Sequence, residues 1–106
     1  MDITSRQKSL ILGVVADCQE FAAWESPGYG FGPEKRRKKL AEVGMVPADG
    51  IRWCGMAGSP ADRVQISRLY KRMETLGLIE RHALGRSNRT SHISLTPDGE
   101  RIATTL

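Results

Sequence analysis

Apolar side chains recur on helical spacing at Leu10, Ile11, Val14, Val15, Cys18, Phe21, Ala22 and Trp24, the pattern of one buried helical face. It predicts a helix over residues 4–24, opened by Thr4 or Ser5, whose side-chain oxygens can accept from unpaired backbone N–H groups. Such a helix spans roughly 30 Å at about 1.5 Å per residue. That is long for a small domain and suits packing against a partner chain as well as its own core. Pro27, Gly28, Gly30, Gly32 and Pro33 then break the periodicity, so residues 26–33 read as a loop with Tyr29 and Phe31 tucked onto the core. Pro33 and Glu34 suit the first turn of a second helix over 34–43, with Gly44 as its stop.

Residues 45–58 contain Pro47, Gly50, Gly55 and Gly58 and read as a connector, pinned to the core by Ile51, Trp53 and Met56. Ser59 and Pro60 form a helix start, and the pattern runs over 59–77 to a stop at Gly77. Spacing residues by about 100° gathers Ile66, Leu69, Tyr70, Met73 and Leu76 on one face. Val64, Ser67, Arg68, Lys71 and Thr75 fall opposite, with Arg63 and Arg72 at the flanks. Residues 78–96 read as a strand, a polar turn with Gly85 and Asn88, and a second strand, with Arg86 and Arg89 at the tip. Thr96 caps a short last helix over 97–104. The expected fold is mainly α with a small β-hairpin.

The chain has 106 residues, enough for a single domain over 1–106 and too few for separate cofactor and substrate halves. Its net charge of +4 is unevenly spread: residues 1–33 carry −2, residues 34–58 carry +3 and residues 59–106 carry +3. The strongest charge feature is the run Lys35, Arg36, Arg37, Lys38 and Lys39. A one-sided basic surface favours a polyanionic partner, nucleic acid first. No apolar run approaches the length of a membrane span, and no signal-peptide pattern opens the chain, so a cytoplasmic location is expected.

Catalytic chemistry finds little support. Cys18 and Cys54 lie far apart without a CxxC motif, and His82 and His92 flank a polar loop, so neither zinc nor a disulfide framework is expected. Gly28, Gly30 and Gly32 lack the spacing of a phosphate-binding loop. With no HExxH, no GxSxG and no clustered carboxylates, the expectation is a non-enzyme without metal or cofactor.

Three local steps give the layout a family likeness: Ser67 and Arg68, then Leu76, Gly77 and Leu78, then Leu95, Thr96, Pro97, Asp98 and Gly99. Over residues 59–103 the chain resembles the third helix and wing of winged helix-turn-helix regulators of the MarR-like and PadR-like families. The resemblance implies a winged helix-turn-helix fold in which 59–77 is the recognition helix and 78–96 the wing. It implies double-stranded DNA as partner and transcription regulation in a prokaryote as function. A stretch of some 14 residues between the second and third helices departs from the usual turn of about three or four. Arg52 and Trp53 within it are open to contacts of their own. The chain ends at Leu106 without a long C-terminal helix, so homodimer formation is expected through helix 4–24.

The side chains suit that chemistry. A helix fits the major groove, where Arg68 can bond guanine in bidentate fashion and Gln65 and Ser67 can both donate and accept. Lys71, Arg72 and Arg63 are placed to hold phosphates, as is the run from Lys35 to Lys39. Arg86 and Arg89 suit the minor groove or the backbone. The competing reading is an interaction or architectural module of a larger replication or phage-type assembly, without sequence readout.

Overall fold

Thr4 opens the first helix with a reciprocal cap: its hydroxyl accepts from the Gln7 N–H, and the Gln7 side chain accepts from the Thr4 N–H. The computed structural model describes residues 2–24 and 32–106, so Tyr29 and Phe31 lie outside the described residues. Its elements run α1 (Ser5–Ala22), α2 (Pro33–Glu42), β1 (Met45–Pro47), α3 (Gly50–Trp53), α4 (Pro60–Thr75), β2 (Ile79–His82), β3 (His92–Leu95) and α5 (Pro97–Ala103). The protein is thus mainly helical with a small antiparallel sheet. Ser59 and Asp62 cap α4 reciprocally, Pro60 takes its first turn, and Thr96 caps α5. Gly44 and Gly77 follow α2 and α4 in left-handed conformations, at φ 84° and 76°, where a Cβ would be strained.

The sheet has the order β1-β3-β2. Val46 pairs with Ile93, Ile79 with Leu95 and His82 with His92. Because strand side chains alternate between faces, Ile79, Arg81, Ile93 and Val46 share the inner face. Glu80, His82, His92, Ser94 and Met45 share the outer one. The core joins that inner face to α1 and α4 through Leu10, Ile11, Val14, Met73, Leu78, Ile79, Ile93 and Val46, all fully buried. Helix α1 packs against α2, α3, α5, β1 and β3 and is the central element.

The connector expected over 45–58 is built into the fold. Its first residues form β1, because Val46 is buried against Ile93 and Ala48 donates its N–H to the Ser91 carbonyl. Its middle forms α3, which leaves only residues 54–59 between α3 and α4. Two glycines let α3 sit this close. A Cβ at Gly13 of α1 would run into Cγ of Trp53, and one at Gly50 would lie 2.7 Å from the Tyr70 hydroxyl, which accepts from the Gly50 N–H at 2.8 Å.

The same junction holds a buried carboxylate. Asp17, with a side chain 4% exposed, accepts from Arg52 Nη2 and, at 3.0 Å, from Trp53 Nε1. Arg52 Nε donates to Asp49 as well. Arg52 and Trp53 therefore lock α3 onto α1, because a buried carboxylate left without donors is costly.

Candidate nucleic-acid interface

Helix α4 buries Ile66, Tyr70 and Met73 and leaves Arg63, Gln65, Ser67, Arg68, Lys71 and Arg72 exposed. The angular spacing of a helix divides these six. Arg63, Ser67 and Lys71 lie on the flank toward the hairpin, where with Arg81, Asn88, Arg89 and Thr90 they wall an open groove of about 820 Å³. Ile51, Val64, Ile66 and Tyr70 add apolar surface to its lining, and Asp49 adds one carboxylate, which accepts from Arg52. Arg68, Arg72 and Gln65 lie on the outward flank, away from the core. Arg86 is exposed on the tip outside the groove wall.

Two of the six are partly engaged. Gln65 accepts from Arg6 Nη1 at 2.8 Å, which ties the start of α1 to α4. Its carbonyl oxygen keeps a second lone pair and its NH2 keeps both donors, so Gln65 can still donate and accept. Arg63 Nε donates to the Gly58 carbonyl at 3.2 Å, anchoring its guanidinium at the groove rim. Among the described residues, Arg68, Lys71, Arg72, Arg86 and Arg89 have no carboxylate partner. Arg81 differs: its Nη2 donates to Glu74 at 2.8 Å. That hydrogen bond holds the Glu74 carboxyl below its ordinary range.

The basic run on α2 separates into two kinds of residue. Lys35, Arg36, Arg37 and Lys39 are exposed. Lys38 is turned inward: its ammonium donates to the Ala22 and Trp24 carbonyls at 2.7 and 2.8 Å. It satisfies carbonyls at and just beyond the end of α1, which have no intrahelical partner. Two of the three ammonium donors of Lys38 are thus engaged on backbone, and Glu42 lies 3.9 Å away, so Lys38 acts as a structural clamp in this structure. Arg37 also lies over the Phe21 ring, 5.9 Å from its centroid.

The expectation of a one-sided basic surface is also revised. Helix α2 packs on α1 and β1, whereas α4 packs on β2 and α3. Arg36 and Arg37 are close enough to His92 to disfavour its protonation, and His92 is on the outer face of the sheet. The groove cations, Arg81 included, gather over the inner face. Positive charge therefore flanks the hairpin on both faces.

The thiols of Cys18 and Cys54 are half-buried, and burial is the first cause pushing both up, which keeps them protonated near neutrality. Among the described residues, no three His, Cys, Asp or Glu side chains converge on a common point, and no helix is long and apolar enough to cross a membrane. Comparison of the chain with protein families, curated proteins and solved structures gave no match.

Proposed function

We propose that the chain is a winged helix-turn-helix protein that binds double-stranded DNA. In this reading α4 enters the major groove and the hairpin is the wing. Arg68 reads guanine, Ser67 adds a donor and acceptor, and Arg63, Lys71, Arg72, Arg86 and Arg89 hold phosphates or the minor groove. The observation that carries the reading is the pairing of an exposed cationic helix face with a hairpin tip across one groove: Arg63, Ser67 and Lys71 on one wall, Asn88 and Arg89 on the other. The layout of α3, residues 54–59 and α4 supports it, since two helices joined by a short turn are the reading unit of this class.

The biological role that fits is a cytoplasmic prokaryotic transcriptional regulator of the MarR-like or PadR-like kind, acting by occupying a site as a homodimer. Leu12, exposed on α1, and Val43, 73% exposed just after α2, give a second copy apolar surface to cover. Sedimentation velocity over a range of concentrations tests the pairing; a monomer at every concentration removes it.

Binding itself is tested by salt titration on duplex DNA. About six phosphate contacts predict a slope near −5 in log K against log salt. Selection from a random duplex pool should return a site preferred by about 10³-fold or more. Equal affinity for all duplexes would leave an architectural module instead of a regulator. Absence of binding at low salt would remove DNA from the account.

A further inference from the structure

The hairpin's outer face carries the chain's two histidines, His82 and His92, as direct cross-strand partners. Both are half-buried, at the end of the strands where the tip loop begins. Hydrogen bonds fix both rings: His82 Nε2 with Ser94 Oγ at 2.8 Å, and His92 Nδ1 with Ser91 Oγ at 2.9 Å. Among the described residues, the other nitrogen of each ring has no hydrogen-bond partner. Helix α2 packs on β1, whose Pro47 lies opposite His92, and its Arg36 and Arg37 are close enough for their charges to act on His92. Met45 and Pro47 of β1 bring no charge to this face, and among the described strand residues Glu80 of β2, beside Ser94, is its one acid. Among the described residues, none of these four basic side chains is paired with a carboxylate.

We propose that this face is a second phosphate-binding surface, in which Arg36, Arg37, His82 and His92 grip the phosphodiester backbone and take up a proton on doing so. The inference rests on the DNA-binding reading and adds to it a set of ligands and a pH response. A duplex is favoured over an acidic protein because the tip, residues 83–91, joins this face to the groove face. Cations on both faces of a projecting hairpin then meet phosphates on both sides.

The direction of the pH response follows from charge. In the free protein, burial first, then Arg36, His82 and Arg37, hold the His92 imidazole below the ordinary histidine range. A phosphate seated against the two arginines cancels the repulsion and favours the imidazolium, so the complex holds more protons than the free chain. Affinity must then rise as pH falls through the histidine range. The chain has only two histidines, so loss of the response when both are replaced assigns it to this pair.

The test is fluorescence anisotropy of the full chain on a duplex of about 25 base pairs, at fixed ionic strength, from about pH 7.5 to about pH 5.5. Affinity should rise about fivefold to tenfold across that range, the tenfold limit corresponding to one unit of pKa change at a single site. The double variant His82→Gln, His92→Gln should lose the rise, its affinity staying flat across the range. Arg36→Ala with Arg37→Ala should weaken binding at every pH and lower the salt slope by about 2. An NMR titration of the wild-type imidazole C–H signals, with and without duplex, needs no variant and should move the His92 midpoint upward in the complex. Binding without a pH response, or a response that survives in the double histidine variant, overturns the second surface and leaves the first intact. No binding at any pH overturns both.

Discussion

The α1–α3 junction and the α4–hairpin groove both set arginines beside helices, and they treat them oppositely. At the junction, Arg52 is shared between Asp17 and Asp49, Trp53 donates to the same buried carboxylate, and two glycines remove every atom that would hold α3 away. At the groove and on the outward flank of α4, Lys71 and Arg89, then Arg68 and Arg72, are exposed with no carboxylate partner among the described residues. Charge that is matched internally contributes to the fold. Charge left unmatched raises the free energy of the isolated protein through self-repulsion and is relieved by an anionic partner. Stability and binding should therefore separate cleanly between the two regions.

The largest expected effect is at the junction. Replacing Gly13 with Ala should cost about 3 kcal/mol in overpacking against Trp53. Better helix propensity would offset about 1 kcal/mol of that. A net loss near 2 kcal/mol lowers the melting temperature of a chain this size by roughly 10 °C. Calorimetry reads the loss, and the folded fraction should bind DNA as the wild type does. A Gly13→Ala protein that melts at the wild-type temperature would mean that α3 is not seated on α1.

Arg68→Ala should do the reverse. Arg68 is exposed and has no carboxylate partner among the described residues, so stability should stay within about 0.5 kcal/mol. Affinity for the selected site should fall by about 1–2 kcal/mol, with preference for that site relaxed at one base pair. Competition between selected and scrambled duplexes measures it. Unchanged preference would show that the outward flank does not face the bases, and would move the reading surface to Ser67 and Lys71 on the groove side.

These two positions also mark what the sequence discloses. The termini of α4 are legible because their causes are local: Ser59 and Asp62 cap within one turn, Pro60 suits the first position, and Gly77 takes the left-handed residue after the helix. The hairpin is legible for the same reason. Strand β1 and helix α3 are not, since Pro47 and the glycines around them resemble breaks. What forms β1 is pairing with β3, nearly fifty positions later. The helical stripe through Leu10, Val14, Asp17 and Phe21 does flag Asp17 as a carboxylate on a buried face. Its partners at Arg52 and Trp53 follow only from the three-dimensional path of the chain. The cationic side chains of α4 are readable as a group, but their division into a groove flank and an outward flank depends on where the hairpin lies.

Within one run of lysines the same contrast recurs at smaller scale. Lys38→Ala removes two donors from backbone carbonyls at the end of α1 and should cost about 1 kcal/mol of stability. Lys39→Ala, one position on and exposed, should leave the melting temperature unchanged. It should lower the magnitude of the salt slope by about 0.9 if it meets a phosphate. Equal effects of the two substitutions on stability would erase the distinction between clamp and ligand.

The smallest effect comes from Arg81, the groove cation that is paired with a carboxylate among the described residues. Glu74 accepts from Arg81, and this hydrogen bond holds its carboxyl below the ordinary value. A depressed carboxyl contributes stability above its unfolded value and loses it as pH falls through the folded one. Both side chains reach solvent, so the contribution is under about 0.5 kcal/mol. Glu74→Gln should therefore barely alter melting near neutrality and should flatten only the acid edge of the stability curve. Its clearer consequence lies in binding. Removing one negative charge beside the groove and releasing the Arg81 fork should tighten duplex binding about twofold to threefold at low salt, with the gain fading as screening increases. A loss of affinity in Glu74→Gln would mean that Arg81 is useful only while Glu74 aims it, and the groove would then depend on an internal ion pair much as the junction depends on Arg52.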